Sequence, residues 1–293
     1  MTMPWTDLPC YLNGHLGRLG DARVPVMDRG FLFGDGVYEA IPVYGRRLFR
    51  VDDHLDRLGR SLKALRIEDP YEREAWLDLF RSLVAHLPEV EDQAIYLQVT
   101  RGVAPRGHAM PRDLEPTVLV YTQPMQALTP EQRHQGLSCV TARDFRWQRG
   151  DIKSISLLGN VLARQVAVDQ GADETLLIRD GYLTEGSSSN VWIVRDGALL
   201  TPPPGEALLE GVRVRLLQEL CEELGVACNL RPIAETELPT ADEILLTSAS
   251  KEVAPVTRLD REPVGHGALR GKPGPVYAKL HEAYQRAKRL QSL

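Results

Sequence analysis

The chain has 293 residues, 26% of them charged and 43% hydrophobic, and carries a net charge of −5. That length suits one large domain or two ordinary ones with a real core. Acidic and basic residues are interspersed, so no basic block points to nucleic acid and no polybasic stripe to a membrane. No stretch approaches the roughly 18–20 apolar residues that a membrane span requires.

The opening segment MTMPWTDLPCYLNG lacks the charged and apolar regions of a secretion signal. Cys10, Cys139, Cys221 and Cys228 show no metal-ligand spacing and read as reduced structural residues. The expectation is a soluble, cytoplasmic protein without a metal, an enzyme by its size.

In chain order, CYLNG and GHLGRLG are short strands punctuated by turns, and GVYEAIPVYGRRLFR alternates around a Tyr-Gly turn as a hairpin does. VDDHLDRLGRSLKALRI carries Leu55, Leu58, Leu62 and Leu65 at helical spacing, with Asp52 or Asp53 as its N-cap. YEREAWLDLFRSLVAHL predicts a second helix. QAIYLQVTRG alternates Ile95, Leu97 and Val99 against Tyr96, Gln98 and Thr100, the pattern of a half-buried strand. PTVLVYTQP is a further strand, ending in the breaker-rich QPMQALTPEQ.

The second part restarts with the strand GLSCVTARDF and the helix SLLGNVLARQVAVDQGA. The segment from Glu174 to Pro202 predicts three strands joined at Asp180-Gly181 and Asp196-Gly197. A proline-rich loop leads into a helix starting near Gly211, EILLTSASKEVAPV reads as strand, turn and short run, and VYAKLHEAYQRAKRL is helical. Two α/β domains follow, 1–122 and 133–293, joined by a linker over 123–132.

Four groups carry chemistry. Lys153, in RGDIKSISLLGN, stands between a charged approach and an apolar helical run. A lysine is ordinarily a solvated surface residue, but one that attacks a carbonyl must be deprotonated, which desolvation favours. LTEGSSSN, residues 183–190, is either a polar turn or a carboxylate, Glu185, aimed at a cationic ring nitrogen with hydroxyls beside it. Arg57 in the first long helix, EGVR at a helix start and TSAS after a strand are candidate anion cradles, each weak alone. RGVAPRGHAMP places Arg106 and His108 on a loop, either facing solvent or gripping a carboxylate.

Together these segments resemble the fold-type IV pyridoxal-phosphate enzymes, above all the D-amino-acid aminotransferases. The likeness runs from MDRGFLFGDGVYEAIPVY to LLTSASKEVAPV and is strongest in FRWQRGDIKSISLLGN and LTEGSSSNVW. It implies an α/β (α+β) two-domain fold with a smaller N-terminal domain and a larger cofactor-binding one. Lys153 would hold pyridoxal phosphate covalently and then shuttle the substrate proton, and Glu185 would pair with the pyridine nitrogen. Arg57 would bind the phosphate, helped by backbone N–H groups of Val212, Arg213, Ser248 and Ala249. Leu209 would lie against the ring, and Ser188 and Ser189 near the phosphate or substrate side. Arg213 and Ala249 stand where the family has threonines, so two hydroxyl contacts are missing while the amides remain.

For the substrate, Tyr38, Arg106 and His108 resemble the trap that this group of enzymes uses for an α-carboxylate. The resemblance therefore implies transfer of an amino group from a D-amino acid to a 2-oxo acid, typically D-alanine to 2-oxoglutarate, by a ping-pong route. It also implies a homodimer with shared sites, Arg106 and His108 acting in trans. A branched-chain or (R)-amine transaminase, an aminodeoxychorismate lyase of the same fold, and a non-catalytic vitamer-binding protein remain as alternatives.

Overall fold

The computed structural model describes residues 4–293 and divides the chain into two compact units. The first runs to Gln126 and takes in Ile152–Leu157 and Lys288–Leu293; the second comprises Ala127–Asp151 and Leu158–Ala287. The chain passes from one to the other inside the expected linker, but that stretch is not structureless, because a strand runs to Pro124 and a helix starts at Pro130.

The first unit contains β1 (Pro9–Leu12), β2 (His15–Arg18), β3 (Gly36–Tyr44), β4 (Arg47–Leu48), β5 (Gln93–Thr100) and β6 (Thr117–Pro124). They form an antiparallel sheet of order β2-β1-β6-β5-β3-β4. The helices are α1 (Arg29–Phe33), α2 (Val51–Leu65) and α3 (Arg73–Ala85). Period-2 alternation sends Val37, Ile41, Ile95, Leu97, Val118 and Val120 to one face, where they join Leu58 and Leu62 of α2 and Trp76 and Phe80 of α3 in the core. The same parity forces Glu39 into that apolar layer. The other face carries Tyr38, Tyr96, Gln98 and Tyr121, which are half-buried.

Asp52 and Asp53 do not cap α2. Arg50 does, at φ 51°, and the two aspartates occupy the first turn, where their charge suits the helix dipole. Two distant segments add to this unit. Ser154 bridges Val37, with Tyr38 N–H donating to Lys153 O at 3.0 Å and Ile155 N–H to Gly36 O at 3.0 Å. Leu48 and Leu293 exchange N–H···O bonds of 2.9 Å each. Lys153 therefore belongs to the smaller-numbered unit and not to the C-terminal domain in which the sequence placed it, because strand pairing at long range overrides chain order.

The second unit contains β7 (Leu137–Arg143), β8 (Glu174–Arg179), β9 (Tyr182–Gly186), β10 (Asn190–Arg195), β11 (Ala198–Thr201), β12 (Cys228–Leu230), β13 (Glu243–Ser248), β14 (Glu252–Leu259) and β15 (Glu262–Pro263). The sheet order is β12-β11-β10-β13-β14-β7-β8-β9, with β15 on β14. Pairings β11–β12, β14–β7 and β7–β8 are parallel and the rest antiparallel. Its helices are α4 (Pro130–Gln135), α5 (Leu158–Asp169), α6 (Val212–Leu224) and α7 (Pro275–Leu290), the last turn of α7 counting with the first unit.

Four strands, not three, occupy the segment from Glu174 to Thr201, because Ser187–Ser189 form a tight return closed by Gly186 N–H on Ser189 O at 2.6 Å. At the start of α7, the buried Glu243 carboxylate accepts N–H bonds from Val276 (2.8 Å) and Tyr277 (2.9 Å). Gly274 leaves it room, since a Cβ there would lie 2.2 Å from Glu243 Cδ. Glu243→Ala strands two helix-end donors, and the expected loss is about 2 kcal/mol, read as a lower urea midpoint for the transition of this unit.

Candidate active site

In the first unit, Lys153 is fixed by its backbone. Its N–H donates to Ser61 Oγ at 3.2 Å and its carbonyl accepts from Tyr38. The side chain turns back over β3, and Nζ lies 4.0 Å from the centroid of the Tyr38 ring. Tyr38 stacks on Tyr96 at 5.8 Å, and Tyr96 tilts against Tyr121 at 5.1 Å, so the amine sits at the end of an aromatic row. Burial, reinforced by the neighbouring tyrosines, pushes the Tyr96 phenol up, so it stays neutral over the ordinary pH range.

Beneath that strand, Arg57 grips Glu39 through two parallel bonds, Nε to Oε1 and Nη2 to Oε2, each 2.8 Å. His54 Nδ1 lies 2.7 Å from Glu39 Oε2. Burial alone would raise the Glu39 pKa, but the Arg57 charge and the hydrogen bonds from Arg57 and His54 outweigh it and hold the carboxyl well below the usual range. Arg57 is thus an oriented guanidinium on a buried carboxylate and not the solvated helix residue that its position alone suggests.

The loop after β5 is also held. Arg106 Cζ lies 5.5 Å and the His108 ring 5.7 Å from the Phe33 ring centroid, so the structure brings these two residues together. Tyr38, the third member of the expected trap, lies in contact with Lys153 and Tyr96.

In the second unit, Glu185, next to last in β9, is 7% exposed. Arg146 Nη1 donates to Glu185 Oε1 at 2.5 Å, and Leu209 N–H donates to Oε2 at 3.2 Å. Arg146 is braced in turn by Asp144, which accepts from Nε and Nη2 at 3.0 Å each and also takes Thr184 Oγ1 and Arg179. Burial would lower the Arg146 pKa, yet Asp144 and Glu185 raise it above the ordinary arginine value.

Leu209 is pinned from its other side, its carbonyl accepting from Asn190 Nδ2 at 2.9 Å. Gly211 passes close to Asn190, since a Cβ would come within 1.9 Å of Oδ1 and displace that side chain. There α6 begins, with Gly211 as N-cap and no side-chain cap, so Val212 and Arg213 present the positive end of a helix of 13 residues. The Arg213 side chain is buried and donates from Nε to Tyr284 OH at 3.1 Å. Ser248 ends β13, its Oγ accepting Lys251 N–H at 3.0 Å, and the half-buried Ala249 opens the turn that follows.

Ser188 and Ser189 are occupied otherwise than expected. Their hydroxyls donate to Glu174 Oε2 at 3.2 and 3.0 Å, Ser187 Oγ donates to Oε1, and Lys251 Nζ closes the cluster at 3.0 Å. A carboxylate this deeply buried needs all its lone pairs filled, and the three serine hydroxyls, Lys251 and the N–H groups of Thr175 and Ser187 fill them. The serines build the turn that follows Glu185 rather than offering free donors.

Sequence reading missed Glu39, His54, Asp144, Arg146, Glu174 and Lys251. Glu39 had a signal, a carboxylate in phase with Val37 and Ile41 on a core-facing strand. Asp144 and Arg146 are two positions apart, but the bonds from His54 to Glu39, from Arg146 to Glu185 and from Lys251 to Glu174 lie too far along the chain for periodicity to show.

Each unit carries groups whose chemistry suits pyridoxal phosphate: in the first, an amine on a rigid backbone and an oriented arginine; in the second, a carboxylate braced by an arginine and a helix start on a glycine without a side-chain cap. The chain matches the family model of class IV aminotransferases over residues 36–259 and belongs to that family. It is 41% identical to the D-alanine aminotransferase of Bacillus licheniformis over 93% of this chain and 94% of that one. It is 38% identical to the D-alanine aminotransferase of Staphylococcus aureus (strain COL), over 94% and 96%. Among solved structures it resembles a T.th. branched-chain amino acid aminotransferase complexed with N-(5'-phosphopyridoxyl)-L-glutamate, with a TM-score of 0.87 and 26% identity over 97% of this chain and 95% of that one.

Proposed function

We propose that this aminotransferase moves the amino group of a D-amino acid, typically D-alanine, to a 2-oxo acid, typically 2-oxoglutarate, using pyridoxal phosphate. The observation that carries the choice of substrate is the 41% identity to a D-alanine aminotransferase over nearly the whole chain, to which the paired Arg106 and His108 add a means of gripping a carboxylate.

When bound, pyridoxal phosphate supplies a carbonyl for the amine and an electron sink for the carbanion. Lys153 would hold it covalently and, once released, would take the proton from Cα of the donor and deliver it to the cofactor carbon that had carried the carbonyl. Glu185, braced by Arg146, would face the pyridine nitrogen, and Leu209 would lie against the ring. Arg57, oriented by Glu39, would carry charge to the phosphate, joined by the N–H groups of Val212, Arg213, Ser248 and Ala249. Tyr38, Arg106 and His108 would bind the substrate carboxylate.

A homodimer is part of the proposal, with Arg106 and His108 serving the partner's site. Exposed apolar residues support it: Val26 (70%) and Phe31 (75%) in the first unit, Leu158 (71%) and Val161 (60%) on α5 in the second. We place the enzyme in the cytoplasm, in keeping with its four free cysteines.

Purified protein supplied with pyridoxal phosphate and 2-oxoglutarate is expected to release pyruvate from D-alanine at least about 100-fold faster, in kcat/KM, than from L-alanine. Equal rates, or turnover of branched-chain L-amino acids only, would overturn the substrate assignment.

A further inference from the structure

Arg106 and His108 are exposed residues on a loop, yet carboxylate recognition needs their side chains held in a fixed relation. The structure shows what holds them. Phe33, the last residue of α1, is half-buried, and three polar groups surround its ring. Arg29 Cζ lies 4.8 Å from its centroid, Arg106 Cζ 5.5 Å and the His108 ring 5.7 Å, tilted by 52°.

Arg29 is 3% exposed, and its bonds serve this arrangement. Its Nε donates to Asp35 Oδ2 at 2.7 Å, Nη1 donates to Gly107 O at 2.7 Å, and its backbone N–H donates to Gly102 O at 2.9 Å. Asp35 is itself gripped by both Nε and Nη2 of Arg101, at 2.8 and 3.0 Å. Gly102, at φ 99°, sits where a Cβ would come within 2.1 Å of Glu115 O. The loop is thereby tied at its start and at the carbonyl between its two functional residues, while the ring bears on the side chains either side of that carbonyl.

We propose that Phe33, clamped by Arg29, is a positioning residue for substrate specificity. Its ring sets the spacing and tilt of Arg106 and His108, and so determines how tightly the carboxylate of the amino donor and of the oxo acid is held. The inference rests on the proposed carboxylate role of those two residues. The physical basis is the attraction of a guanidinium to a π face, here shared between two arginines on one ring. A leucine fills similar space and offers no such face; a tyrosine keeps it.

The test is steady-state kinetics of the holoenzyme with D-alanine and 2-oxoglutarate, on Phe33→Leu, Phe33→Met, Phe33→Tyr and Arg106→Ala. Phe33→Leu and Phe33→Met are expected to raise both KM values about tenfold with kcat within about twofold. The absorbance of bound cofactor and Tm should stay at wild-type values, and Phe33→Tyr should restore both KM values. In an Arg106→Ala background, Phe33→Leu should raise KM by less than it does alone, because one of the two groups it positions is gone. Three outcomes would overturn the inference. If Arg106→Ala raises KM and neither Phe33→Leu nor Phe33→Met does, the ring positions nothing. If the ringless variants lose kcat, cofactor and Tm together, Phe33 is structural. If Arg106→Ala itself leaves both KM values unchanged, the carboxylate role fails and the inference falls with it.

Discussion

Lys153→Ala is expected to lower kcat by about 10⁴-fold or more while leaving Tm close to wild type. The size follows from losing both the nucleophile that attaches the cofactor and the base that moves the Cα proton, each worth orders of magnitude. The small change in Tm follows from the backbone, since the contacts that fix residue 153 are its N–H on Ser61 and its carbonyl under Tyr38 N–H, which alanine retains. Only the half-buried amine, 4.0 Å from the Tyr38 ring centroid, is removed. Lys153→Arg should be as inactive, because a guanidinium does not release its proton at any working pH. The measurement is an absorbance spectrum with a coupled pyruvate assay. Wild type should show a visible band of bound cofactor that D-alanine converts to a shorter-wavelength one and L-alanine leaves alone. The alanine variant should lack the response to D-alanine. A variant that retained more than about a hundredth of wild-type kcat would remove Lys153 from the chemistry.

Much of this was legible in the sequence because it is written in local patterns. Ile95, Leu97 and Val99 are all fully buried, as their alternation requires, and the leucines of α2 face the sheet. Gly211 marks the helix start as expected. What failed was non-local. The Ser187–Ser189 return was hidden because its geometry depends on Glu174, whose side chain supplies the acceptors for three hydroxyls across the hairpin. Arg50 caps α2 in place of an aspartate in a left-handed conformation that nothing in its residue type announces. The bond from Arg146 to Glu185 spans 39 positions, and no periodic pattern reaches so far. The residues proposed to meet a ligand were thus more visible than those that brace them, since ligand chemistry restricts residue type while bracing needs only a complementary charge nearby.

That distinction makes Glu39 the most consequential residue that contacts no proposed ligand. It is fully buried, and its carboxylate meets both Arg57 and His54. Glu39→Ala takes away that counter-charge from groups in the core, and breaking such a buried pair costs about 3–5 kcal/mol. For a domain of this size the expected result is a fall in Tm of about 10 °C. Glu39→Gln keeps an acceptor for one of the Arg57 bonds and should lose less. Since Arg57 is the proposed phosphate ligand, both variants should also bind pyridoxal phosphate more weakly, which equilibrium dialysis can measure. The pH dependence has a definite sign. Because Arg57 and His54 outweigh burial and hold the Glu39 pKa below its unfolded value of about 4.3, the unfolded state binds the proton first as the solution is acidified. The stabilisation is complete above that pH and is lost as pH falls below it, at up to about 1.4 kcal/mol per pH unit for the one proton involved. Urea midpoints measured from pH 6 down to pH 3.5 should therefore decline less steeply in Glu39→Gln than in wild type. Parallel declines would mean that the carboxylate is not held by its partners, and with that the oriented Arg57 would lose its support.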